Sequence, residues 1–403
     1  MIAAANMSMR SSALLDALLP QPADALLALI GLHRDDPRSG KIDVGVGVYR
    51  DETGATPIMR AVKVAELRLL AGQTSKSYLG PEGDARFTDL IAAVAFGSEA
   101  ARSERLTGVQ TPGGTGALRL GAEVIARANP TARVWIGAPT WPNHGPIFRE
   151  AGLRVESHAF YDVATSTLDF DGMMSAISGA SAGDVLLLHG CCHNPSGAEF
   201  SIDQWRELAE FCSDQGVIPF VDLAYQGLGN GLDEDAAGLR SLLAVVPEAL
   251  VAYSCDKNFG LYRERVGALF VIANSRKSVQ AIRDNTLVLA RSLWSMPPDH
   301  GAAVVRLILD DTELTTAWRD ELDEMRLRIN RMRALVAAAH PRLAPIGSQR
   351  GMFAMLPIDG SAVAELRRRH GIYMAGSGRI NVAGLQDENI AAFTAALVPL
   401  LVP

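Results

Sequence analysis

Five short apolar runs constrain the fold of this chain most strongly. Each run is four to seven residues long and is bounded by turn-forming residues, which is typical of strands that are buried on both faces. An amphipathic helical pattern over 203–215 lies between two of the runs. Strands that alternate with helices predict a mostly parallel, doubly wound α/β sheet whose binding site lies at the carboxyl ends of the strands. The runs are 134–137, 185–189, 217–222, 249–253 and 266–272.

Composition excludes several classes of protein. The chain has 403 residues, of which 48% are hydrophobic and 21% are charged, as expected for a globular protein with room for two domains. Its net charge of −7 gives no sign of a nucleic-acid-binding surface. Asp16, Pro20 and Pro22 interrupt the apolar residues near the N-terminus, so we expect neither a signal peptide nor a membrane span.

The four cysteines have no paired spacing that suggests disulfide bonds or a zinc site. Cys191-Cys192-His193 is a cluster of metal-binding residue types, but a structural zinc ion needs four ligands and no second cluster is present. We therefore expect no bound metal. Free thiols indicate a reducing, cytoplasmic location.

A single lysine, Lys257, lies between the last two apolar runs. A lysine in such a place loses charge because burial disfavours its ammonium form, and a neutral amine can form a Schiff base with a carbonyl. Arg265 and the Ser254 hydroxyl flank it, and both suit an anionic phosphate. A reactive lysine beside a phosphate site is what pyridoxal 5'-phosphate requires. The alternative is an ordinary surface lysine on a loop between strands.

Residues 111–118 form a glycine-rich turn that leads into an apolar helical stretch ending near Ala128. Such a turn presents free N–H groups and the positive end of the helix dipole to an anion. The motif lacks the third glycine and the acidic partner of a dinucleotide fingerprint. We expect Gly114 and Thr115 to bind a phosphate group.

Two further residues suit an aromatic cofactor. Asp222 ends an apolar run, where a carboxylate is costly unless it has a partner, and a protonated pyridine nitrogen would be that partner. Trp141 lies between prolines on a loop after a strand, and its ring could stack on a flat heteroaromatic ring.

The segment 254–267 resembles the cofactor-lysine segment of class I aminotransferases, in the aspartate and aromatic amino acid branch. The resemblance covers roughly residues 20 to 400. It implies pyridoxal 5'-phosphate as cofactor, the PLP-dependent transferase fold type I with a seven-stranded sheet in a large domain, a smaller α+β domain, and a homodimer with shared active sites. We expect an N-terminal arm at 1–23, a small-domain segment at 24–56, the large domain at 57–320 and the small C-terminal domain at 321–403.

The resemblance also implies roles for individual residues. Lys257 would bind the cofactor and move a proton, Asn194 and Tyr225 would bond the ring oxygen of the cofactor, and His144 would bond Asp222 from behind the ring. Tyr78 would reach the cofactor phosphate of the other subunit. On the substrate, the backbone at Gly47 and the side chains of Trp141 and Asn194 would line the site, Arg379 would grip the α-carboxylate, and Arg291 would cross from the neighbouring subunit to a distal carboxylate.

The substrate class is predicted less narrowly. Arg291 implies a dicarboxylic acid, whereas Trp294 and Met296 stand where the resembled aspartate enzymes have tyrosine and asparagine. We favour transfer of an amino group between aspartate or aromatic amino acids and 2-oxoglutarate by a ping-pong mechanism. The alternatives are a strict aspartate aminotransferase, a PLP-dependent lyase, which need not keep both Arg291 and Arg379, and a regulator, for which no DNA-binding segment is evident.

One residue departs from the resembled pattern. The family usually has serine or threonine immediately before the lysine, whereas this chain has Asp256. Because a carboxylate that faces a phosphate is repelled, we expect Asp256 to turn away, toward Arg263 or Arg265. The alternative is a weaker hold on the cofactor.

Overall fold

The computed structural model describes residues 14–20 and 25–401, so most of the predicted arm at 1–23 lies outside the described residues. The α-helices are α1 (Ala25–Asp35), α2 (Arg60–Gly72), α3 (Ala85–Phe96), α4 (Gly113–Ala128), α5 (His144–Glu150), α6 (Phe170–Ile177), α7 (Ile202–Gln215), α8 (Ala237–Leu243), α9 (Arg276–Trp294), α10 (Asp299–Asp310), α11 (Thr312–Ala338), α12 (Gly360–Glu365) and α13 (Ile390–Leu397). The strands are β1 (Ile42–Asp43), β2 (Leu106–Pro112), β3 (Arg133–Ala138), β4 (Arg154–Ala159), β5 (Tyr161–Asp162), β6 (Thr167–Leu168), β7 (Val185–His189), β8 (Ile218–Leu223), β9 (Ala249–Ser254), β10 (Val266–Ile272), β11 (Phe353–Met355), β12 (Ile372–Tyr373) and β13 (Arg379–Asn381).

A seven-stranded sheet forms the centre of the fold, in the order β2-β10-β9-β8-β7-β3-β4. β10 is antiparallel to both of its neighbours, β2 and β9. The pairs β9–β8, β8–β7, β7–β3 and β3–β4 are parallel. The predicted mostly parallel sheet is therefore confirmed. β10 reverses direction because residues 255–265 join it to β9 without a crossover helix, and a parallel pair would need one.

Both faces of this sheet are buried, as the apolar runs predict. Along β7, Val185 and Leu187 belong to one apolar cluster, whereas Leu186 and Leu188 belong to the cluster on the other face. Successive side chains of a strand point to opposite faces, so an uninterrupted apolar run supplies both clusters. Helices α4, α5 and α9 contribute to one cluster, and α7 and α8 contribute to the other.

Two small sheets join distant parts of the sequence. β1 pairs with β12 in parallel, with Ile42 opposite Ile372. β11 pairs with β13 in antiparallel fashion, with Met355 opposite Arg379. These pairings place the segment around Gly45 and Gly47 next to β13, because the N–H of Asn381 donates to the carbonyl of Val44.

The spacing of apolar residues from Trp318 to Val336, three to four positions apart, predicts one long helix over 310–339, and this helix begins slightly later. Asp310 ends α10, and Asp311 is the N-cap of α11, where its carboxylate accepts hydrogen bonds from the N–H groups of Glu313 and Leu314. The predicted apolar face is buried, with Trp318 and Ile329 at 0% exposure. In the described ranges, no helix combines the length and the apolar character that a bilayer span requires.

Candidate active site

The carboxyl ends of the parallel strands border a cavity of about 190 Å³. β7, β8 and β9 all end at this edge of the sheet, so the loops that follow them converge there. The cavity therefore gathers side chains from segments that are far apart in sequence. Nine residues that the sequence predicted for the site line it: Gly114, Thr115, Trp141, Asn194, Asp222, Tyr225, Ser254, Lys257 and Arg265.

Lys257 lies in the connection between β9 and β10, and its side chain is 20% exposed. Burial lowers the pKa of its amine and Arg265 lowers it further, while the carboxylates of Asp256 and Asp222 only partly oppose this shift. The Nζ atom lies 3.9 Å from Oδ2 of Asp256 and 5.5 Å from the ring centroid of Tyr225. A lowered pKa increases the share of neutral amine, which is the form that acts as a nucleophile and accepts a proton.

Asp222 lies at the end of a hydrogen-bonded chain of buried side chains. Its Oδ2 lies 2.9 Å from Nε2 of His144, and Oγ1 of Thr140 lies 2.8 Å from Nδ1 of His144 and 3.1 Å from Nε2 of His189. Burial lowers the pKa of His189 to about 3, so this ring is neutral. We assign the donors in the order His189, Thr140, His144, with His144 donating to Asp222.

This chain of hydrogen bonds keeps Asp222 charged. Burial by itself raises the pKa of the Asp222 carboxyl group, but the hydrogen bond that His144 donates to it lowers that pKa below its ordinary value. The cavity therefore contains a buried carboxylate that stays ionised at neutral pH.

Asn194 and Tyr225 follow β7 and β8 and meet at the cavity, as predicted. Nδ2 of Asn194 donates to Oη of Tyr225 at 3.4 Å. Burial, with the charge of Asp222, raises the pKa of the Tyr225 hydroxyl, so that it stays protonated and can donate. The two side chains thus offer donors at one point of the cavity.

The N-terminus of α4 approaches the same cavity and has no side-chain cap. A Cβ atom at Gly114 would lie 3.0 Å from Cβ of Ser254, and one at Gly113 would lie 2.5 Å from Nη2 of Arg265. The absence of side chains at these glycines lets the helix terminus lie directly against Ser254 and Arg265. Free N–H groups, a hydroxyl and a guanidinium together make an anion site, which we call the anion cradle.

Asp256 adds a carboxylate to this anion cradle. Its Oδ2 pairs with Nη1 of Arg265, one of the two partners that the sequence predicted. The expectation that it turns away from the site is wrong, because Asp256 lines the same cavity as Ser254 and Arg265. Its backbone N–H donates to Oγ of Ser254 at 3.2 Å, and this local turn keeps the side chain in place.

Arg379 begins β13, as predicted, and lies over Phe353. Its Cζ is 4.7 Å from the Phe353 ring centroid, and Nη2 donates to the carbonyl of Gly45 at 3.0 Å. The Phe353 ring in turn packs edge-on against the Tyr225 ring, with centroids 5.9 Å apart. A Cβ at Gly47 would lie 2.8 Å from Cζ of Phe353, so glycine lets this backbone approach the group. Arg379 and Gly47 thus lie beside Phe353, whose ring contacts Tyr225 of the cavity lining.

Comparison with known proteins identifies the family. The sequence profile described as "Aminotransferase class I and II" matches residues 39–397. The chain belongs to the class I and II aminotransferase family. It is an aminotransferase, and its cofactor is pyridoxal 5'-phosphate.

Curated relatives of this aminotransferase match nearly its whole length. A tyrosine aminotransferase of Rhizobium meliloti is 54% identical over 380 residues, which cover 93% of this chain and 97% of the relative. An aromatic-amino-acid aminotransferase of Pseudomonas aeruginosa is 46% identical over 93% of this chain and 96% of its own length. An aspartate aminotransferase of Escherichia coli is 44% identical over 94% of this chain and 98% of its own length. These names agree with a transferase and give no support to the lyase alternative.

Solved structures confirm the fold of the aminotransferase. An aromatic amino acid aminotransferase with 3-indolebutyric acid superposes with a TM-score of 0.93 at 43% identity, over 96% of this chain and all of that one. An aromatic-amino-acid aminotransferase from Burkholderia pseudomallei covalently bound to pyridoxal phosphate superposes with a TM-score of 0.92 at 36% identity, over 97% of this chain and all of that one.

The cavity of the aminotransferase has the groups that pyridoxal 5'-phosphate needs. The cofactor requires an amine, a carboxylate for the ring nitrogen, donors for the ring oxygen and a site for the phosphate. The uncapped N-terminus of α4 and the buried, unpartnered Oδ1 of Asn194, as found among the described residues, are polar groups that a ligand can satisfy. The residues therefore fit the cofactor, except that Asp256 already pairs with Arg265.

Besides Gly47 and Arg379, two more predicted site residues do not line this cavity. Tyr78 is 94% exposed, and Arg291 is exposed near the end of α9. The N–H of Leu79 lies 3.0 Å from Sδ of Met296, so the loop after Tyr78 contacts the segment after α9. The two residues thus belong to exposed segments that contact each other, and neither residue lines the cavity within its own chain.

Sequence reasoning missed part of the aminotransferase site. Thr140 and His189 were not assigned a role, although they link His144 to the rest of the hydrogen-bonded chain behind Asp222. Phe353 was also missed, although it lies between Arg379 and Tyr225. His189 ends an apolar run, just as Asp222 nearly does, and that position was a signal that could have found it.

Cys191 and Cys192 lie close to a carboxylate that the sequence did not predict to be there. In the described part of the chain, their sulfur atoms and one carboxylate oxygen of Asp235 lie within 4.8 Å of one another. The Asp235 carboxylate already accepts hydrogen bonds from three backbone N–H groups. Burial, with the contact to Cys191, raises the pKa of the Cys192 thiol, which opposes the deprotonation that metal binding requires.

Proposed function

We propose that this aminotransferase accepts both aspartate and aromatic amino acids and transfers their amino group to 2-oxoglutarate in a ping-pong reaction. The relatives described above bear all three names, tyrosine, aromatic-amino-acid and aspartate aminotransferase. One observation carries the proposal: Arg291 shares the end of α9 with Trp294, and Met296 follows two residues after Trp294. A cation for a distal carboxylate therefore lies beside apolar surface for an aromatic ring.

The proposed roles in catalysis follow from the geometry of the cavity. When bound, the cofactor supplies a conjugated ring that accepts the electron pair left as the α-proton of the substrate departs. Lys257, whose pKa is lowered, accepts that proton at Nζ and returns it. Asp222, which remains ionised, would hold the proton of the ring nitrogen. Asn194 and Tyr225 would donate to the ring oxygen, and the half-buried Trp141 would stack on the ring and exclude water.

The proposed hold on the substrate begins at Arg379. Its guanidinium rests on Phe353 at 4.7 Å, and its Nε is buried without a partner in the described ranges, so the group is held in place but not saturated. Burial lowers the pKa of Arg379. The guanidinium still stays charged at neutral pH, because the ordinary pKa of arginine is very high. An α-carboxylate would accept two parallel hydrogen bonds from it, while the backbone at Gly47 closes the rim.

We further propose a homodimer with shared active sites. Tyr78 and Arg291 carry an exposed phenol and an exposed guanidinium on segments that contact each other, outside the cavity of their own chain. Exposed apolar side chains lie near that face, including Leu79 and Leu293. In a dimer, Tyr78 would reach the partner's cofactor phosphate and Arg291 the partner's substrate. The protein would work in the cytoplasm, with its four thiols free.

The domain boundaries remain those proposed from the sequence. Residues 57–320 would form the large cofactor-binding domain, and 24–56 with 321–403 would form the small domain. The pairing of β1 with β12 and of β11 with β13 supports this division, since these strands pair with one another outside the seven-stranded sheet.

The substrate proposal predicts comparable use of aspartate and phenylalanine. We expect the kcat/KM values of the two, measured with 2-oxoglutarate as acceptor, to differ by less than about a thousandfold, or about 4 kcal/mol. Steady-state kinetics on the purified holoenzyme measures this ratio. A larger preference for aspartate would contradict dual specificity and would indicate a strict aspartate aminotransferase.

The proposed role of Arg291 predicts a loss of activity toward aspartate and not toward phenylalanine. Arg291→Leu should lower kcat/KM for aspartate about 100-fold, because a charge-assisted bidentate pair contributes about 3 kcal/mol, and should change that for phenylalanine by less than about threefold. Arg276→Leu, which removes an exposed arginine from the start of the same helix, is the matched control. An equal loss for both substrates in Arg291→Leu would mean that the arginine does not select the distal carboxylate.

A further inference from the structure

Asp256 places a buried carboxylate within the anion cradle. Its side chain is 6% exposed, and Oδ2 pairs with Nη1 of Arg265. The same Oδ2 lies 3.9 Å from Nζ of Lys257, and the backbone N–H of Asp256 donates to Oγ of Ser254. The carboxylate therefore already pairs with one nitrogen, Nη1, of the guanidinium that a phosphate group would use.

The charges of the anion cradle cancel in consequence. Arg265 is its cation and Asp256 is its anion, while Thr115 and Ser254 are neutral. The attraction left for a phosphate dianion comes from hydroxyls and from the uncapped N–H groups of α4. Two like charges in a partly buried site repel each other more strongly than they do in water.

We propose that Asp256 is an internal competitor of the cofactor phosphate. It pairs with Arg265 when the phosphate is absent and repels the phosphate when it is present, so the enzyme exchanges its phosphorylated cofactor readily. This inference rests on the proposed function, because it takes Ser254 and Arg265 to be the phosphate-binding groups.

The competitor role differs in sign from a structural role. If Asp256 only held Arg265 in place, removing its charge would disorder the guanidinium and weaken phosphate binding. If Asp256 is a competitor, removing its charge strengthens phosphate binding, because the Arg265 guanidinium becomes free to pair with the phosphate. The guanidinium stays in place without Asp256, since its Nη2 lies against Gly113, where a side chain would leave no room for it. Tighter binding after substitution therefore separates the two roles.

The test uses the full-length chain freed of cofactor, as wild type, Asp256→Asn and Asp256→Ser. Asparagine keeps the shape of the side chain and an acceptor for Arg265, and serine is the smaller second variant. Asp203→Asn, which removes an 84% exposed carboxylate, controls for net charge. The probes are pyridoxamine 5'-phosphate, which needs no covalent bond to Lys257, together with inorganic phosphate and pyridoxamine.

We expect both Asp256 variants to bind pyridoxamine 5'-phosphate about 30-fold more tightly than wild type, which corresponds to about 2 kcal/mol. Inorganic phosphate should bind about tenfold more tightly, and pyridoxamine, which has no phosphate, should bind within about twofold of wild type. The dissociation rate of pyridoxamine 5'-phosphate should fall accordingly, and Asp203→Asn should match wild type.

An unchanged or weaker affinity of both folded variants for pyridoxamine 5'-phosphate would overturn the competitor role and leave the proposed function intact. Failure of the folded wild-type chain and of every variant to bind that compound would instead overturn the proposed cofactor site, and this inference with it.

Discussion

Lys257→Ala abolishes nearly all turnover, with an expected fall in kcat of at least about 10⁴-fold, the upper range for loss of one positioned acid–base group. The reason is that Lys257 both binds the cofactor and moves the proton. Burial lowers its pKa where the β9–β10 connection lines the cavity. The visible absorption of the lysine-bound cofactor should disappear as well. Steady-state kinetics and an absorption spectrum of the same preparation measure both effects.

The control for this substitution is Lys277→Ala, which removes an exposed lysine from the start of α9. It should keep the activity and the spectrum of the wild type. A small primary amine added to Lys257→Ala should restore part of the proton transfer, because it supplies the missing base. If Lys257→Ala kept more than about a hundredth of wild-type kcat, another group would have to be the base.

Asp222→Asn should cause the second large loss of activity. We expect kcat to fall about 10³-fold with little change in KM, since the interaction with the ring nitrogen stabilises charge that develops during the reaction. The amide keeps the size of the side chain and loses the charge that His144 helps to maintain at 2.9 Å. Enzyme saturated with cofactor is assayed with aspartate and with phenylalanine, and both substrates should lose the same factor.

Asp203→Asn is the matched control here too, because it makes the same chemical change at an exposed position on α7. It should leave kcat unchanged. A less than tenfold effect of Asp222→Asn on kcat, in enzyme shown to be loaded with cofactor, would mean that the buried carboxylate is not what holds the ring nitrogen protonated.

Much of the sheet could be predicted, because its strands are buried on both faces and therefore appear as uninterrupted apolar runs. β7 and β10 have the predicted bounds, and the predicted helix over 203–215 is α7, Ile202–Gln215. The direction of β10 was not predicted, since an apolar run has the same composition in either direction. The start of α11 was predicted two residues early because the N-cap, Asp311, follows another acidic residue.

The site was predicted unevenly. Nine predicted residues line one cavity, because each one follows or ends an element whose end lies at the same edge of the sheet. Thr140 and His189 escaped prediction because their importance lies in their contact with each other at 3.1 Å, between segments 49 residues apart in the sequence. The roles of Tyr78 and Arg291 depend on a second subunit, so they stay proposals.

The amino-acid sequence by itself determined which chemical groups stand at the ends of buried strands, because strand burial and turn formation are local properties of composition and spacing. Only the tertiary structure decided which of those groups touch. The connection 255–265 folds back on itself, so Asp256 meets Arg265, nine residues further along the chain. Side-chain pairing across such a turn depends on the backbone path, and residue types alone leave that path open.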